Sequence, residues 1–297
     1  MAVKTLKHLQ PRGGEGGAVT GGSPLVKLGR GVLWVVLMLG GLAMILPFVW
    51  MVLTSLRTDT EAFAFPPRLF TWPLRWENYP AAWTIAPFGR FFFNSVVVSV
   101  CITVGSLLLN SLAAFGFAKY EFRGRNVLFM GLLATLMIPY QVTMIPTFLL
   151  LKQLAWLDTY PGLVVPGLAG AFGIFFLRQY MLTIPDDYLD AARIDGATEY
   201  RVFWQVMLPL AKPAVATLAV FTFLGAWNDF LGPLIVVKSD EMRTLPLAIS
   251  ALSAGHYVMS WPLLMAGASF VVLPVLVVYL LAQRYFVDGI ALGGLKG

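Results

Sequence analysis

The chain has almost no residues that bind metals through sulfur or imidazole. It contains one cysteine, Cys101, and two histidines, His8 and His256. A single cysteine excludes an intrachain disulfide bond and leaves a cysteine-based metal site without enough ligands. Cys101 lies inside an apolar run, where a cysteine behaves as a small hydrophobic residue. Neither histidine has other ligands at metal-binding spacing, so we predict no metal site.

The sequence also lacks the short motifs of common enzyme classes. It contains no GxxxxGK[ST] phosphate-binding loop, no HExxH zinc motif and no GxSxG nucleophile turn. Its acidic residues lie almost wholly in polar segments, so a membrane-embedded enzyme would have no convincing acid/base pair. We therefore expect no catalytic residue and no cofactor bound by this chain.

Charged residues are scarce. They make up 12% of the chain, whereas hydrophobic residues make up 58% and the mean hydropathy is +0.77. A polytopic membrane protein is the class that buries such a composition. The net charge is +6, but the basic residues lie in short loops, where they set membrane orientation. We expect contacts with membrane lipids and no binding of nucleic acid.

The apolar residues form six runs that are long enough to cross a bilayer as helices. The first, at 30–56, is too long for a signal peptide and has no cleavage site. The other five lie at about 91–118, 127–151, 160–182, 213–237 and 261–285, and Pro139 and Pro146 interrupt the run at 127–151. The predicted fold is therefore all-α and integral to the membrane, with six transmembrane helices.

Polar segments separate these runs and predict the orientation of the chain. They are the tail 1–29, the loops 57–90, 183–212 and 238–260, and the tail 286–297. With the amino terminus inside, fourteen of the 21 Lys and Arg residues fall in inner segments and seven in outer ones. This bias predicts that both termini and the 183–212 loop are cytoplasmic, and that the 57–90 and 238–260 loops are outside.

Within the 183–212 loop, the stretch DAARIDGATEYRVFWQVMLP at 190–209 predicts two short helices around a glycine. Ala191 and Ala192 are strong helix formers with little bulk, so their face can lie flat against another surface. Gly196 can adopt the left-handed conformation that ends a helix. A flat, small-residue helix at this position is typical of a docking surface, with an ordinary amphipathic helix lying on the membrane surface as the alternative.

The second helix of this loop has its own boundaries. Thr198 is predicted to cap it and Pro209 to end it. Its large apolar residues recur at helical spacing and predict a single apolar stripe. These residues are Tyr200, Phe203, Trp204 and Met207.

This stretch resembles the signature loop of permease subunits in bacterial ABC importers. The family pattern is Glu-Ala-Ala, three residues, Gly, nine residues, a branched apolar residue, one residue and Leu-Pro. Every fixed position is in register, except that Asp190 replaces the usual Glu. The resemblance implies that the loop docks into a cleft on a separate ATPase. The residues assigned to this coupling are Asp190, Ala191, Ala192, Asp195, Gly196, Ala197, Leu208 and Pro209.

The resemblance also implies an assembly and a location. Relatives form a complex of two different permeases and an ATPase dimer, which holds the ATP and magnesium. A soluble extracytoplasmic binding protein delivers the substrate. The implied fold is the type I importer permease (MetI-like) fold in the bacterial cytoplasmic membrane. The chain itself would be a non-catalytic transport subunit.

The carboxyl-terminal sequence FVDGIALGGLKG at 286–297 resembles that of maltose-type carbohydrate-importer permeases. In that family the tail reaches the ATPase dimer, and the loop between the last two helices enters the cleft of the binding protein. Here that loop is 238–260, with a plain connector as the alternative. The resemblance implies import of a di- or oligosaccharide such as a maltose- or trehalose-like sugar.

One acidic residue, Asp229, stands alone inside a predicted span, and a charge there faces a cavity or a partner by default. Trp227 and Asn228 beside it are types that stack on and hydrogen-bond to sugars. Asn110 and Gln141 are further candidates for the substrate pathway. For all of them, hydrogen bonding between packed helices is the alternative. Asp229 also leaves open a rival function, an ion-coupled secondary transporter.

Overall fold

The computed structural model describes residues 24–66, 68, 70–253 and 260–293. These residues form helices and connecting turns and contain no strand, so the predicted all-α class is confirmed for them. They belong to two compact units, Met1–Trp50 and Met51–Gly297. Residues 1–23 and 294–297, most of the predicted tails, lie outside the described part.

The described part of the first unit is one apolar helix. Helix α1 spans Pro24–Ser55 and ends in the second unit. It begins before residue 30, where the span was predicted, because a proline is well tolerated in the first turn of a helix. Side chains from residue 28 to residue 50 are exposed on all faces. Such a helix needs an apolar environment, as a bilayer provides.

The predicted outer loop 57–90 is partly folded. It contains helix α2, Asp59–Ala62, and helix α3, Asn78–Thr84. The Thr58 side chain and the Glu61 side chain form a reciprocal capping box at the start of α2.

The next predicted span is a single helix, whereas the one after it is broken. Helix α4 spans Phe88–Lys119 without interruption. Helices α5, Arg125–Thr135, and α6, Tyr140–Gln153, meet at a bend of 98°. The span predicted at 127–151, with interruptions at Pro139 and Pro146, is thus broken at Pro139, whereas Pro146 lies inside α6. Pro139 occupies the N-cap position of α6, and a proline disfavours the helical conformation in the residue before it.

The fourth predicted span is also bent, by 41°. It consists of helix α7, Tyr160–Val164, a short 3₁₀ turn and helix α8, Ala171–Leu182. Gly162, Gly167 and Gly173 each lie where an added Cβ would meet a neighbouring residue closely. Small residues therefore let these helices approach their neighbours.

The 183–212 loop and the fifth span consist of several short helices. They are α9 (Asp187–Ile194), α10 (Glu199–Arg201), a π-helical turn (Val202–Met207), α11 (Leu208–Leu210), α12 (Lys212–Trp227) and α13 (Leu231–Val236). The predicted span 213–237 is thus interrupted between α12 and α13. Pro213 lies in the first turn of α12.

The predicted outer loop 238–260 contains a packed helix. Helix α14, Leu245–Ser253, buries Leu245, Ala248 and Leu252 against α4 and the final helix. That final helix, α15, spans Trp261–Gly293 and so continues beyond the span end predicted at residue 285.

Within the described residues, three helices are long and apolar enough to cross a membrane, and three bent helix pairs raise the number to six. The predicted count of six holds if each pair is one span, although the third pair joins Glu199–Leu210 of the 183–212 loop to α12. In the second unit, α4 packs along α8 and α12, and α12 packs along α15. Helix α4 therefore lies at the centre of the packed helices.

Candidate functional site

The turn predicted at Gly196 is present. Helix α9 ends at Ile194, Asp195 follows as its C-cap, and Gly196 has a φ of +82°. Left-handed φ values of this kind favour glycine. Ala191 is exposed, whereas Ala192 packs partly against the buried core of the loop. Of the two predicted contact alanines, only Ala191 thus faces outward.

Arg193, which the sequence did not single out, holds the two halves of the loop together. Its guanidinium donates to Asp190 Oδ1 at 2.9 Å and to Glu199 Oε1 at 2.9 Å. The bond to Glu199, followed by the bond to Asp190, raises the pKa of Arg193. Asp190 therefore pairs within its own chain. Its side chain is nevertheless 61% exposed, so its contact with a basic residue of the ATPase stays a prediction.

The end of α4 is tied to the same loop. The Tyr120 hydroxyl donates to Glu199 Oε2. Burial and then this bond raise the pKa of Tyr120 to about 12, so the hydroxyl stays protonated at physiological pH. Lys119 Nζ donates to Asp186 Oδ1 at 2.6 Å and to the Ile184 carbonyl at 2.6 Å.

We call these tied residues the inner clamp. They are Lys119, Tyr120, Asp186, Arg193 and Glu199. The Arg193–Glu199 pair is partly exposed to solvent. Such pairs contribute only about 0.2–1 kcal/mol each to the stability of the folded protein. The main effect of the inner clamp is therefore to fix the geometry of the loop.

The second half of the loop differs from its prediction because a π-helical turn replaces the α-helix at Val202–Met207. The wider turn changes which side chains share a face. Phe203 and Met207 are buried, whereas Tyr200 and Trp204 are exposed. The predicted single apolar stripe is therefore wrong.

Both predicted boundary residues of this second helix also need correction. Thr198 occupies the N-cap position, but its side chain makes no capping hydrogen bond. Pro209 does not end the helix, because α11 continues to Leu210 and the chain bends at the buried Ala211. Leu208 packs partly against the core of the loop.

The loop exposes several large apolar side chains. Ile194 is 86% exposed and Tyr200 is 71% exposed, and Tyr188 and Trp204 are also on the surface. We call these four residues, with Ala191, the loop face. Exposed apolar patches on otherwise folded segments mark interaction surfaces.

Two predicted pathway residues lie in helix packing. Asn110 is buried; its Nδ2 donates to Ser106 Oγ at 2.8 Å and its Oδ1 accepts from the Gly170 N–H at 3.2 Å. Trp227 is buried, and its indole N–H donates to the Val271 carbonyl at 3.0 Å. The structure thus places both residues in the alternative role, bonding between helices.

The remaining pathway candidates are exposed. Asp229 lies in the break between α12 and α13, where its Oδ1 accepts from the Gly232 N–H at 3.1 Å. Asn228 donates to the Leu224 carbonyl within its own helix at 2.9 Å. Gln141 lies on the exposed side of the first turn of α6.

Asp229 lines a cavity of about 260 Å³ between α4, α6, α7 and α13. The other polar side chains that line it are Tyr140 and Thr147 of α6. The walls are otherwise apolar or glycine, and Asp229 is the only charged residue among them. The sequence predicted Asp229 but missed Tyr140 and Thr147, because only the bend at Pro139 brings α6 to this cavity.

At the amino-terminal end of α4, far from the inner clamp, polar residues hold the segment 238–245. Asn94 Nδ2 donates to the Glu241 carbonyl at 2.8 Å and to the Arg243 carbonyl at 2.9 Å. Ser95 Oγ accepts from the Leu245 N–H at 2.7 Å. Sequence reasoning missed both residues, although two adjacent polar residues in an apolar run were a usable signal.

Two further residues complete this arrangement. The Tyr160 hydroxyl donates to Asn94 Oδ1 at 2.7 Å. Asp158 Oδ1 accepts from the N–H groups of Lys238 and Ser239 at 3.0 and 3.1 Å. We call Asn94, Ser95, Asp158 and Tyr160 the outer clamp.

The chain is similar to known transport proteins over most of its length. The family model described as "Binding-protein-dependent transport system inner membrane component" matches residues 106–291. The chain is 36% identical to the arabinooligosaccharides transport system permease protein AraQ of Bacillus subtilis (strain 168), over 93% of this chain and 99% of that protein. It is also 36% identical to the diacetylchitobiose uptake system permease protein NgcG of Streptomyces coelicolor, over 86% of each chain.

A third relative and two solved structures are also transport proteins of this kind. The sn-glycerol-3-phosphate transport system permease protein UgpE of Yersinia enterocolitica is 36% identical over 86% of this chain and 94% of that protein. A bacterial ABC transporter involved in the import of the acidic polysaccharide alginate matches with a TM-score of 0.79 and 25% identity, over 90% of this chain and 99% of that one.

The second structure is the bacterial alginate ABC transporter in complex with an alginate pentasaccharide-bound periplasmic protein. It matches with a TM-score of 0.62 and 16% identity, over 88% of this chain and 96% of that one, and shows the fold alone. Together the matches contradict the rival reading as an ion-coupled secondary transporter. They confirm the resemblance that the motif at 190–209 predicted: the chain belongs to the binding-protein-dependent transport system inner membrane components, the permease subunits of ABC importers.

Proposed function

We propose that this chain is the permease subunit of an ATP-driven oligosaccharide importer and that its loop face docks on a separate ATPase. The observation that carries the proposal is the exposed loop face on a loop that is clamped to α4. Ile194 and Tyr200 are too exposed to stabilise the isolated chain. A partner that covers them would gain about 25 cal/mol for each Å² of apolar surface removed from water.

The loop is also built to transmit movement. The inner clamp fixes α9 to α10 and both to the end of α4, so displacement of the loop face displaces the attached helices. Gly196 supplies the turn, while Ala191 and Asp195 lie on the exposed surface beside it. Ala197 packs partly against the core of the loop and supports the turn from within.

The proposed assembly follows from the family. It contains this chain, a second and different permease, two ATPase subunits that hold ATP and magnesium, and an extracytoplasmic binding protein. One structural neighbour is in complex with a periplasmic binding protein, which supports the last partner. The location proposed is the bacterial cytoplasmic membrane, with both termini inside.

We propose that the substrate is an uncharged di- or oligosaccharide, the class that includes maltose- and trehalose-like sugars. Two relatives are named for arabinooligosaccharides and diacetylchitobiose, which are uncharged. The cavity beside α6 supports the same class, because Asp229 gives it a negative charge and no lining residue is basic. Hydroxyl groups of a sugar could bond to Asp229, Tyr140 and Thr147.

Copurification from the native membrane tests the assembly. We expect an ATPase and a second permease in stoichiometric amounts. Recovery of the chain alone, or as a homo-oligomer, would contradict the proposal. With the complex in hand, neutral oligosaccharides presented by the binding protein should stimulate ATP hydrolysis. Stimulation by anionic sugars alone would contradict the proposed substrate class.

A Gly196→Val variant tests the coupling role of the loop. A β-branched residue at a φ of +82° is strained by about 1–2 kcal/mol, which distorts the turn. We expect sugar uptake to fall while ATP hydrolysis continues. Gly116→Val is the matched control, because Gly116 lies in open space within α4 and has no positive φ. Equal uptake by the two variants would refute the coupling role.

A further inference from the structure

Helix α4 spans the distance between the two clamps without interruption. It runs from Phe88 to Lys119, with no proline among these residues. A helix of this length measures about 48 Å at 1.5 Å per residue, which exceeds the thickness of the hydrocarbon core of a bilayer. By contrast, the α5–α6, α7–α8 and α12–α13 segments are all broken. Helix α4, in contrast, is long and unbroken and contacts the 183–212 loop.

The outer end of α4 holds its partner segment through buried polar atoms. Asn94 is fully buried, and both of its side-chain polar atoms are hydrogen-bonded. Ser95, next to it, is also buried and accepts from the Leu245 N–H. Removal of a buried partner leaves the opposite group unsatisfied, so these bonds fix the segment 239–245 relative to α4.

The inner end of α4 holds the coupling loop in a comparable way. The Lys119 side chain is 5% exposed and binds Asp186 and the Ile184 carbonyl just before α9. Tyr120 binds Glu199 at the start of α10. Helix α4 thus contacts the loop on both sides of Gly196.

The helices that carry the coupling loop also lie against α4. Helix α8 leads into the loop, α12 leaves it, and both pack along α4. Closely packed helices transmit displacement because protein interiors have low compressibility. A shift of α4 along or about its axis would therefore reach the loop through the clamp and through both neighbours.

We propose that α4 is a strut that couples the segment 239–245 at its outer end to the 183–212 loop at its inner end, with Asn94 and Tyr120 as positioning residues. This inference rests on the proposed function, in which the 183–212 loop docks on the ATPase. It also rests on the expectation, implied by the family resemblance, that the binding protein docks on the 238–260 loop. A binding protein that docks outside would thereby change ATP hydrolysis inside.

The test uses the complete complex in lipid. ATP hydrolysis is measured with and without the sugar-loaded binding protein for Asn94→Ala and Tyr120→Phe. We expect the stimulation ratio to fall by about fivefold or more in each variant, while the unstimulated rate is unchanged. The stimulation ratio of the double variant should be no lower than the lower of the two single-variant ratios, because both substitutions act on the same element.

Ser99→Ala is the matched control for the outer variant. Ser99 is equally buried in α4, but its hydroxyl binds only the Ser95 carbonyl of the same helix. We expect its stimulation ratio to match that of the wild type. If Asn94→Ala fails to assemble, Ser95→Ala removes a single bond of the same clamp, and Tyr120→Phe removes one oxygen atom at the surface.

The outcomes separate the strut from the proposed function. A wild-type complex that lacks an ATPase or shows no stimulation would contradict the proposed function. A wild-type complex that is stimulated, with Asn94→Ala and Tyr120→Phe stimulated equally well, would overturn the strut alone. Additive losses of the stimulation ratio in the double variant would also overturn the strut, since they would show that Asn94 and Tyr120 act through two independent elements.

Discussion

At the scale of single residues, glycines decide how closely the helices approach. A Cβ at Gly173 would overlap Asn110 Nδ2 and lie 3.2 Å from Leu218 Cδ2. Gly173 therefore allows α8 to pack against both α4 and α12. Gly170, three residues earlier, has open space around the same position.

We predict that Gly173→Ala destabilises the protein and that Gly170→Ala does not. Overpacking of a filled site costs about 1–3 kcal/mol, because neighbours must shift. A substitution into open space changes stability by about 0.5 kcal/mol or less. The measurement is the thermal unfolding midpoint of the purified complex. Equal midpoints for the two variants would show that α8 does not pack as described.

Single polar residues were harder to assign from the sequence. Asn110 and Trp227 were predicted to line the pathway, but each satisfies a hydrogen bond between helices. Residue type and position in a span cannot separate these roles, because both favour a polar side chain in an apolar run. Only the neighbouring helix decides which groups the side chain meets.

At the scale of elements, the turn between α6 and α7 anchors the start of the outer loop. Asp158 accepts hydrogen bonds from the backbone N–H groups of Lys238 and Ser239. Burial opposes ionisation of this carboxyl, but the two backbone bonds outweigh it and lower its pKa. The carboxylate therefore stabilises the folded state while it is charged.

The pH dependence of this anchor follows from the sign of that shift. A carboxyl with a lowered pKa in the folded state contributes stability above its unfolded pKa, about 3.9 for Asp, and loses it as the pH falls through the folded value. We predict that Asp158→Asn unfolds at a lower temperature than the wild type by a constant margin from pH 5 to 8. Below about pH 4 the margin should shrink.

Thermal unfolding of both proteins across this range is the measurement. Asp187→Asn is the control, because Asp187 is exposed in the first turn of α9, at the other end of the molecule. A margin that changes between pH 6 and 8 would assign the effect to another titrating group.

At the scale of the whole molecule, the side of the membrane on which each loop lies decides which partner it can meet. The distribution of Lys and Arg predicts that the 183–212 loop is inside and the 238–260 loop is outside. We predict that Glu241→Cys in a Cys101→Ala background is labelled by a membrane-impermeant maleimide in intact cells. Asp195→Cys should be labelled only after permeabilisation. The reverse pattern would contradict the proposed docking of the 183–212 loop on the ATPase and the expected docking of the binding protein on the 238–260 loop.

The sequence by itself determined the membrane class, the all-α fold and the family. Composition excludes a soluble core, and apolar runs of bilayer length predict helices because backbone groups in lipid must bond within their own segment. The register of the motif at 190–209 predicted the turn at Gly196, which is present, and it is the basis of the coupling role proposed for this loop. All of these features depend on local sequence.

Only the tertiary structure decided which residues meet. The bend at Pro139 brings Tyr140 and Thr147 to Asp229, and the π-helical turn separates Tyr200 from Phe203. The two clamps join residues far apart in the chain, such as Asn94 and Glu241 or Tyr120 and Glu199. Sequence periodicity describes one helix at a time, whereas these contacts depend on how neighbouring helices pack, which no single segment encodes.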